Sequence, residues 1–279
     1  MFKKAILALS IAVLSAVGFA ADIKAEENKN IILATTTSVQ DTGLLDALID
    51  AFQKKTGLIV KPIAVGTGQA LQMGRQGCAD LLWVHSPADE KQFVDDGYGI
   101  NRTTFMHNDF VILGPKNDPA KAGGIKNAAG AFKKISGAKA LFVSRGDNSG
   151  THKKEKAIWQ AAGVLPDKDT YIEAGQGMAK TVLIANEKQG YVLADRSTYL
   201  SLKGSIDLAI ICEGDPALIN YYSLILVNPD KFPKVNKQGA RELFDFLISS
   251  ESRKVIESFG KGKFGQQLFF WDLKDIDNK

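Results

Sequence analysis

Residues 31–52 decide the fold class of this 279-residue chain, and they read IILATTTSVQDTGLLDALIDAF. The first four residues form a short apolar run, which is typical of a strand buried in a parallel sheet. After a polar turn, apolar residues recur at helical spacing and form one face. Asp41 or Thr42 can cap the start of this helix, and Gly57 stands where a helix end favours a left-handed residue. A strand, a turn and a helix in this order indicate an α/β fold.

The same alternation continues along the chain. Apolar or β-branched runs predict strands at residues 59–65, 79–85, 109–114, 140–143, 191–194, 208–212 and 221–227, with extended chain at 171–174 and 264–270. Helical patterns occupy a segment ending at 75, a segment opening at 86–87, and residues 150–162, 177–188, 195–202, 238–249 and 252–259. Alternating strands and helices predict mainly parallel sheets with helices on both faces.

The N-terminal segment has the pattern of a secretory signal peptide. Lys3 and Lys4 precede an uncharged, mostly apolar run, which ends in Gly18-Phe19-Ala20. Residues 1–20 are therefore predicted to be a signal peptide, cleaved before Ala21. The alternative is a retained membrane anchor, but the run is short against the roughly 20 apolar residues that a span needs. We expect export to the periplasm.

Charge and cysteine content narrow the classes of partner. Of 35 basic residues the signal peptide removes two, so 33 basic residues face 31 acidic ones. A nearly neutral chain gives no reason to expect nucleic acid or an anionic membrane as partner. Cys78 and Cys212 either form a disulfide or remain two thiols, because sequence does not give their separation. The three histidines lack metal-ligand spacing, so we expect no metal site and no cofactor.

Three predicted strand-to-helix turns share one chemical character. They are Thr36-Thr37-Ser38, Gly66-Thr67-Gly68 and residues 144–151, which read SRGDNSGT. Each offers hydroxyl groups and free amides directly before a helix, where the positive end of the helix dipole lies. Helix capping alone would explain any single turn. Three turns together, at the strand ends where α/β sheets bind ligands, predict a site for a tetrahedral anion.

Arg145 is the strongest single candidate in these turns. Its guanidinium matches two oxygens of a tetrahedral anion and keeps its charge. Asp147 either holds that fork from behind or forms an ordinary surface salt bridge with it. His85 ends another strand, and either donates to the anion or has a structural role.

The chain resembles type II periplasmic binding proteins, and it is similar in particular to the TupA family of tungstate-binding components of ABC importers. The stretches that carry this resemblance are residues 34–38, 83–90, 106–110, 144–155 and 193–196. The resemblance implies a two-lobed α/β fold with the ligand cleft between the lobes. It places lobe I at residues 31–112 plus 218–279 and lobe II at 113–217, with crossings near 110–116 and 213–222.

The resemblance also implies a function and a set of ligand contacts. The protein would capture tungstate in the periplasm and deliver it to a membrane permease. Independently of the resemblance, we expect a monomer. Thr37, Ser38, Thr67, Arg145, Ser149, Gly150 and Thr151 would contact the anion, with Thr36 and Gly68 as further candidates. The alternatives are the same role for molybdate, vanadate or phosphate.

The residues themselves favour an anion without a proton. Phosphate at neutral pH keeps a proton and needs an acceptor, and neither the 36–38 turn nor the 66–68 turn contains a carboxylate. Tungstate and molybdate have the same charge and shape, so only the resemblance selects tungstate. The rival class is a hydrolase that uses Ser149 with His152 or Ser38 with His85. No Gly-x-Ser-x-Gly motif accompanies either pair, and we expect no enzymatic activity.

Overall fold

The computed structural model describes residues 29–273. The predicted signal peptide, residues 1–20, lies outside this range. Within the range, no helix combines the length and the apolar character needed to cross a membrane.

Strands and helices alternate through the described residues, as the sequence predicts. Strands are β1 Asn30–Thr36, β2 Ile59–Val65, β3 Leu81–Val84, β4 Gly99–Gly114, β5 Phe142–Ser144, β6 Tyr171–Glu173, β7 Val192–Asp195, β8 Ala209–Cys212, β9 Ile219–Val227 and β10 Phe270–Trp271. Helices are α1 Thr37–Gln40, α2 Leu44–Thr56, α3 Thr67–Arg75, α4 Pro87–Asp95, α5 Ala128–Gly137, α6 Gly150–Ala162, α7 Met178–Lys188, α8 Arg196–Leu202, α9 Lys237–Leu247, α10 Ser250–Ser258 and α11 Lys261–Phe264, with a 3₁₀ turn at Pro216–Leu218.

Three elements differ from the prediction. Strand β4 is 16 residues long, and its first ten residues were not predicted because polar side chains interrupt the apolar pattern. Helix α5 was missed as well; it starts after Asn127, whose side-chain oxygen accepts from the Gly130 amide at 2.7 Å. The predicted extended segment 264–270 is wrong for most of its length, since only Phe270 belongs to a strand.

The ends of helix α2 test the predicted caps. The N-cap is Gly43, with a φ of 85°, and not Asp41 or Thr42. Thr42 still contributes, because its hydroxyl oxygen accepts from the Leu44 amide at 3.2 Å. At the other end Gly57 is the left-handed C-cap, with a φ of 72°, which confirms the prediction.

The sheets are mixed and not mainly parallel. In the first sheet the strand order is β10-β4-β9-β3-β1-β2. Strand β1 runs parallel to β2 and β3, as predicted. Strand β9 is antiparallel to both β3 and β4. The reason is the chain path: β4 carries the chain away from this sheet and β9 brings it back in the opposite direction.

The long strand β4 takes part in two sheets. Its first part pairs with β9 and β10, whereas Phe110–Leu113 pairs antiparallel with β7 and the end of the strand pairs with β8. Strands β5 and β6 form a parallel pair, and a bridge between Phe142 and Tyr191 joins them to the second sheet.

Separate hydrophobic cores lie on the two sides. One contains Leu33, Phe52, Trp83 and Phe244, and another contains Phe110, Phe132, Trp159 and Tyr191. We call the parts built on these cores lobe I and lobe II. The two-lobed α/β fold expected from the sequence is therefore confirmed.

The cysteine question has a clear outcome. Cys78 is exposed, Cys212 is buried, and both are free thiols. Of the two alternatives that the sequence left open, the structure has two free thiols and no disulfide between Cys78 and Cys212.

Candidate anion-binding site

Two of the three predicted turns lie side by side at one edge of lobe I. Strands β1 and β2 are parallel neighbours, and Thr36 is in register with Val65. Their carboxyl ends therefore meet, and the 36–38 turn adjoins the 66–68 turn. Neither N-cap residue, Thr36 for α1 or Gly66 for α3, makes a side-chain cap hydrogen bond. The first-turn amides are thus not used by these side chains.

Hydroxyl groups in these turns are buried and only partly satisfied. The hydroxyl oxygens of Thr36 and Ser38 lie 3.1 Å apart, and both residues are almost fully buried. Thr67 is completely buried, and its Oγ1 has no hydrogen-bond partner among residues 29–273. Because an unpaired buried hydroxyl is costly, Thr67 Oγ1 is a candidate donor to a ligand. Thr37 is half-buried, and Gly68 is exposed at the rim.

Arg145 is buried in lobe II and held from one side. Its side chain is only 6% exposed, and Nη2 donates to Oδ2 of Asp147 at 2.5 Å. The other oxygen of Asp147, Oδ1, accepts from the Ser149 amide at 3.1 Å. The Nε atom of Arg145 is buried and has no partner in the described part of the chain. Asp147 therefore holds the fork from behind, which is the first of the two alternatives stated above.

The charge state of Asp147 fits this positioning role. Burial raises the pKa of Asp147, but hydrogen bonds from Ser149 and the charge of Arg145 outweigh it, and the resulting pKa lies below the ordinary value. The carboxylate stays ionised, and its oxygens are engaged by Arg145 and Ser149.

The N-terminus of α6 supplies the remaining predicted residues. Ser149 is its N-cap, with Oγ accepting from the His152 amide at 3.3 Å. The hydroxyl of Ser149 also donates to the carboxylate of Asp147. Gly150 and Thr151 form the first turn, and both are buried.

The structure brings the two lobes into direct contact at these turns. A Cβ built on Gly66 would lie 3.9 Å from Cα of Ser149. On the other side, a Cβ built on Gly150 would lie 2.3 Å from Cε1 of His85. The 66–68 turn and the 144–151 loop therefore face each other at van der Waals distance. This is a closed arrangement of the two lobes at these turns.

His85 is fixed as a neutral structural residue. Its Nδ1 lies 3.0 Å from Oδ1 of Asn220, and the amide nitrogen of Asn220 donates to Asn108 at 2.8 Å. Since Oδ1 can only accept, Nδ1 carries the proton. Burial lowers the pKa of His85 to about 4. Nε2 is then without a proton and cannot donate to an anion, so the structural alternative for His85 is favoured.

The serine–histidine pairs of the hydrolase alternative are engaged elsewhere. Ser149 caps α6, and Nδ1 of His152 accepts from the Asn148 amide at 3.0 Å. Ser38 contacts Thr36, whereas His85 contacts Asn220. Within residues 29–273 no group of three His, Cys, Asp or Glu side chains is placed to hold a metal ion.

Sequence reasoning missed residues that join the two lobes. Nζ of Lys153 donates to Oδ2 of Asp89 in the facing lobe, and it lies 3.9 Å from where a Cβ of Gly68 would be. One sequence signal was present: Lys153 stands in the first turn of α6, where helices favour acidic residues.

The chain is similar to proteins of known role. A model of the PBP superfamily domain matches residues 24–251. The tungstate-binding protein TupA of Peptoclostridium acidaminophilum is 49% identical over 251 residues, or 88% of this chain and 87% of that protein. The structure of tungstate binding protein TupA from Desulfovibrio alaskensis G20 has 45% identity and a TM-score of 0.77, covering 88% of this chain and 99% of that one. The structure described as the tungstate ABC transporter from Geobacter sulfurreducens has 46% identity and a TM-score of 0.76, covering 83% and 99%.

Proposed function

Because the chain belongs to the PBP superfamily, and within it to the family of TupA tungstate-binding proteins, we propose that it is the substrate-binding component of an ABC importer for tungstate. One observation carries this proposal. Each lobe has a buried donor without a hydrogen-bond partner in the described chain, Thr67 Oγ1 in lobe I and Arg145 Nε in lobe II, and the turns that carry these residues meet. Buried donors of this kind need an acceptor, and a tetrahedral oxyanion offers four.

The lobe boundaries are part of the proposal. Lobe I comprises residues 31–112 plus 218–279, and lobe II comprises 113–217. Support comes from β4 and β9, the strands in which the chain passes between the two cores. The hinge then lies where Asn108 and Asn220 face each other in register.

The ligand contacts follow from the two faces of the cleft. Lobe I contributes the 36–38 turn, Thr67 and Gly68, and lobe II contributes Arg145, Ser149, Gly150 and Thr151. One guanidinium with several neutral donors suits a dianion. Hydrogen bonds to a charged group contribute about 1.5–3 kcal/mol each, so about six could support nanomolar binding at ~−12 kcal/mol after the costs of closure and lost ligand freedom.

The hydrogen-bond acceptors near the proposed site favour an anion without a proton, such as tungstate, over hydrogen phosphate. Hydrogen phosphate would need an acceptor for its proton. The 36–38 and 66–68 turns contain no carboxylate, and Asp147 already accepts from Arg145 and the Ser149 amide. The choice of tungstate over molybdate or vanadate is supported by the names of the relatives, because these anions present similar oxygens to the same donors.

The proposed cycle is capture, closure and delivery. In the periplasm the open lobes take up the anion, which selects the closed form. The closed monomer then docks on a membrane permease. The site binds and releases its ligand unchanged, so no catalytic step is proposed.

Calorimetric titration of the exported, ligand-stripped protein tests this function. Tungstate is titrated first, followed by molybdate, sulfate and phosphate. We expect tight tungstate binding that persists in excess sulfate and phosphate. Arg145→Ala should weaken it by about 100-fold or more, since two charge-assisted bonds are lost. Arg241→Ala, on the exposed face of α9, is the matched control and should bind like the unmodified protein. No heat with any of these anions on folded protein would overturn the proposal.

A further inference from the structure

Lys153 and Asp89, which are not among the proposed ligand contacts, form an ion pair between the two lobes. Nζ of Lys153, in α6 of lobe II, donates to Oδ2 of Asp89, in α4 of lobe I. The same carboxylate oxygen accepts from the Ser86 hydroxyl at 2.7 Å. Both side chains are partly shielded, with 37% of Lys153 and 39% of Asp89 exposed.

Lys153 occupies a position that a helix disfavours. The first turn of α6 contains no acidic residue, and the positive end of the helix dipole raises the energy of a cation there. Asp89 lies in the first turn of α4, where a carboxylate is favoured. The unfavourable lysine therefore gains a partner from the other lobe, at a helix end that stabilises the partner's charge.

The two other lysines near Lys153 on α6, Lys154 and Lys156, have different surroundings. Nζ of Lys154 donates to the carbonyl oxygens of Ala217 and Ile219, beside the returning crossover. Lys156 is exposed. Among these three lysines of α6, Lys153 makes the contact with Asp89 in lobe I.

The ion pair lies at the rim of the proposed anion site. Lys153 Nζ is 3.9 Å from where a Cβ of Gly68 would be, next to Thr67. Since Lys153 and Asp89 belong to different lobes, separating the lobes separates the two charges. The contact exists only while the cleft is closed.

We propose that Lys153 is a positioning residue, which faces the cleft mouth as a free cation in the open form and pairs with Asp89 on closure, so that the Lys153–Asp89 pair holds the anion in the closed cleft. This inference rests on the proposed function, because it assigns the pair to retention of the same ligand. Part of the affinity thus comes from a contact between lobes that does not touch the ligand.

Asp89 makes the inference sharply testable. If Asp89 affected the anion only by electrostatic repulsion, Asp89→Asn would remove this repulsion and tighten tungstate binding. If Asp89 is the partner that keeps the cleft closed, Asp89→Asn weakens binding. The two roles predict changes of opposite sign.

The experiment combines affinity with a measure of closure. Tungstate is titrated calorimetrically into the unmodified protein, Lys153→Gln, Asp89→Asn, the double variant and Lys156→Gln as the control for charge on the same helix. Closure is followed by the distance between spin labels at Cys78, an exposed thiol, and at Leu165→Cys, a position 84% exposed in lobe II. Cys212 is buried and stays unlabelled.

We expect Lys153→Gln and Asp89→Asn each to weaken tungstate binding about fivefold, which corresponds to about 1 kcal/mol. The double variant should be no weaker than the weaker single variant, and all three should show a larger open fraction at half-saturating tungstate. Lys156→Gln should match the unmodified protein, and all variants should keep the melting temperature of the ligand-free protein.

Two results would overturn the inference. One is tighter or unchanged binding in Asp89→Asn, and the other is additive effects in the double variant. Absence of tungstate binding by the unmodified protein would instead reject the proposed function, so the two failures are distinguishable.

Discussion

Gly150 and His85 touch across the cleft so closely that a Cβ at position 150 would stand 2.3 Å from Cε1 of the imidazole. The ring has little freedom to retreat. Its Nδ1 is bound to Asn220, and its face packs on Tyr222 with ring centroids 5.1 Å apart. The lobes can therefore close to this distance only because residue 150 is a glycine and has no side chain.

Gly150→Ala should block closure without unfolding the protein. Position 150 has no positive φ, so alanine fits the helix itself. The methyl group meets His85 only when the lobes approach. We expect tungstate affinity to fall by about 5- to 150-fold, since overpacking of a rigid contact costs about 1–3 kcal/mol. Titration and the label distance described above would measure it.

The control for that substitution is Gly137→Ala, at the end of α5. A Cβ there meets nothing within 4 Å, so affinity and closure should stay unchanged. Full closure in Gly150→Ala would show that the contact with His85 does not limit the approach of the lobes.

Thr67→Val tests whether the Thr67 hydroxyl binds the ligand or stabilises the fold. In the closed structure Oγ1 of Thr67 is buried without a partner in the described chain. Exchanging it for a methyl group should raise the free energy of unfolding by about 1 kcal/mol and weaken tungstate binding about tenfold or more. Urea unfolding and titration give the two values.

Thr181 provides the opposite case. It is also fully buried, but its hydroxyl donates to the carbonyl oxygens of Gln176 and Gly177. Thr181→Val should lower stability by about 1 kcal/mol and leave tungstate affinity unchanged. If both valine variants lost stability equally and bound normally, the assignment of Thr67 to the ligand would be wrong.

His85 should make the protein less stable in acid. Burial lowers its pKa from the ordinary 6.5 to about 4, so between these values the unfolded chain binds a proton that the folded chain does not. The free energy of unfolding therefore falls as the pH drops below 6.5, by about 2–3 kcal/mol from this group near pH 4.5.

His85→Gln is the comparison that isolates this contribution. Glutamine has an amide donor for Asn220 but does not titrate, so the decrease between pH 7 and pH 4.5 should be smaller than in the unmodified protein. Urea unfolding at both pH values measures the difference. Equal decreases in the two proteins would mean that His85 does not carry the effect.

Features of local origin were predictable from the sequence. The apolar runs and helical periodicities define β1, β2, α2 and α6 because each depends on neighbouring residues. The three hydroxyl-rich turns follow from the same local logic, and the register of Thr36 with Val65 places two of them together.

What depended on distant contacts was not predictable. The pair of Lys153 and Asp89 is separated by 64 residues and gives no periodic signal. The direction of β9 depends on a chain path through both lobes, and the tautomer of His85 depends on Asn220, 135 residues away. Tertiary structure alone brings such residues into contact.

The position of β4 in both sheets also sets the order in which the chain can complete its lobes during synthesis. Lobe II has its last strand once residue 212 has emerged, since β5 to β8 and the end of β4 are then present. Lobe I, begun first, still lacks β9, which inserts between β3 and β4. A chain stopped before residue 219 would therefore leave β3 and β4 in lobe I without β9 between them, and exposed strand edges of this kind promote association between molecules.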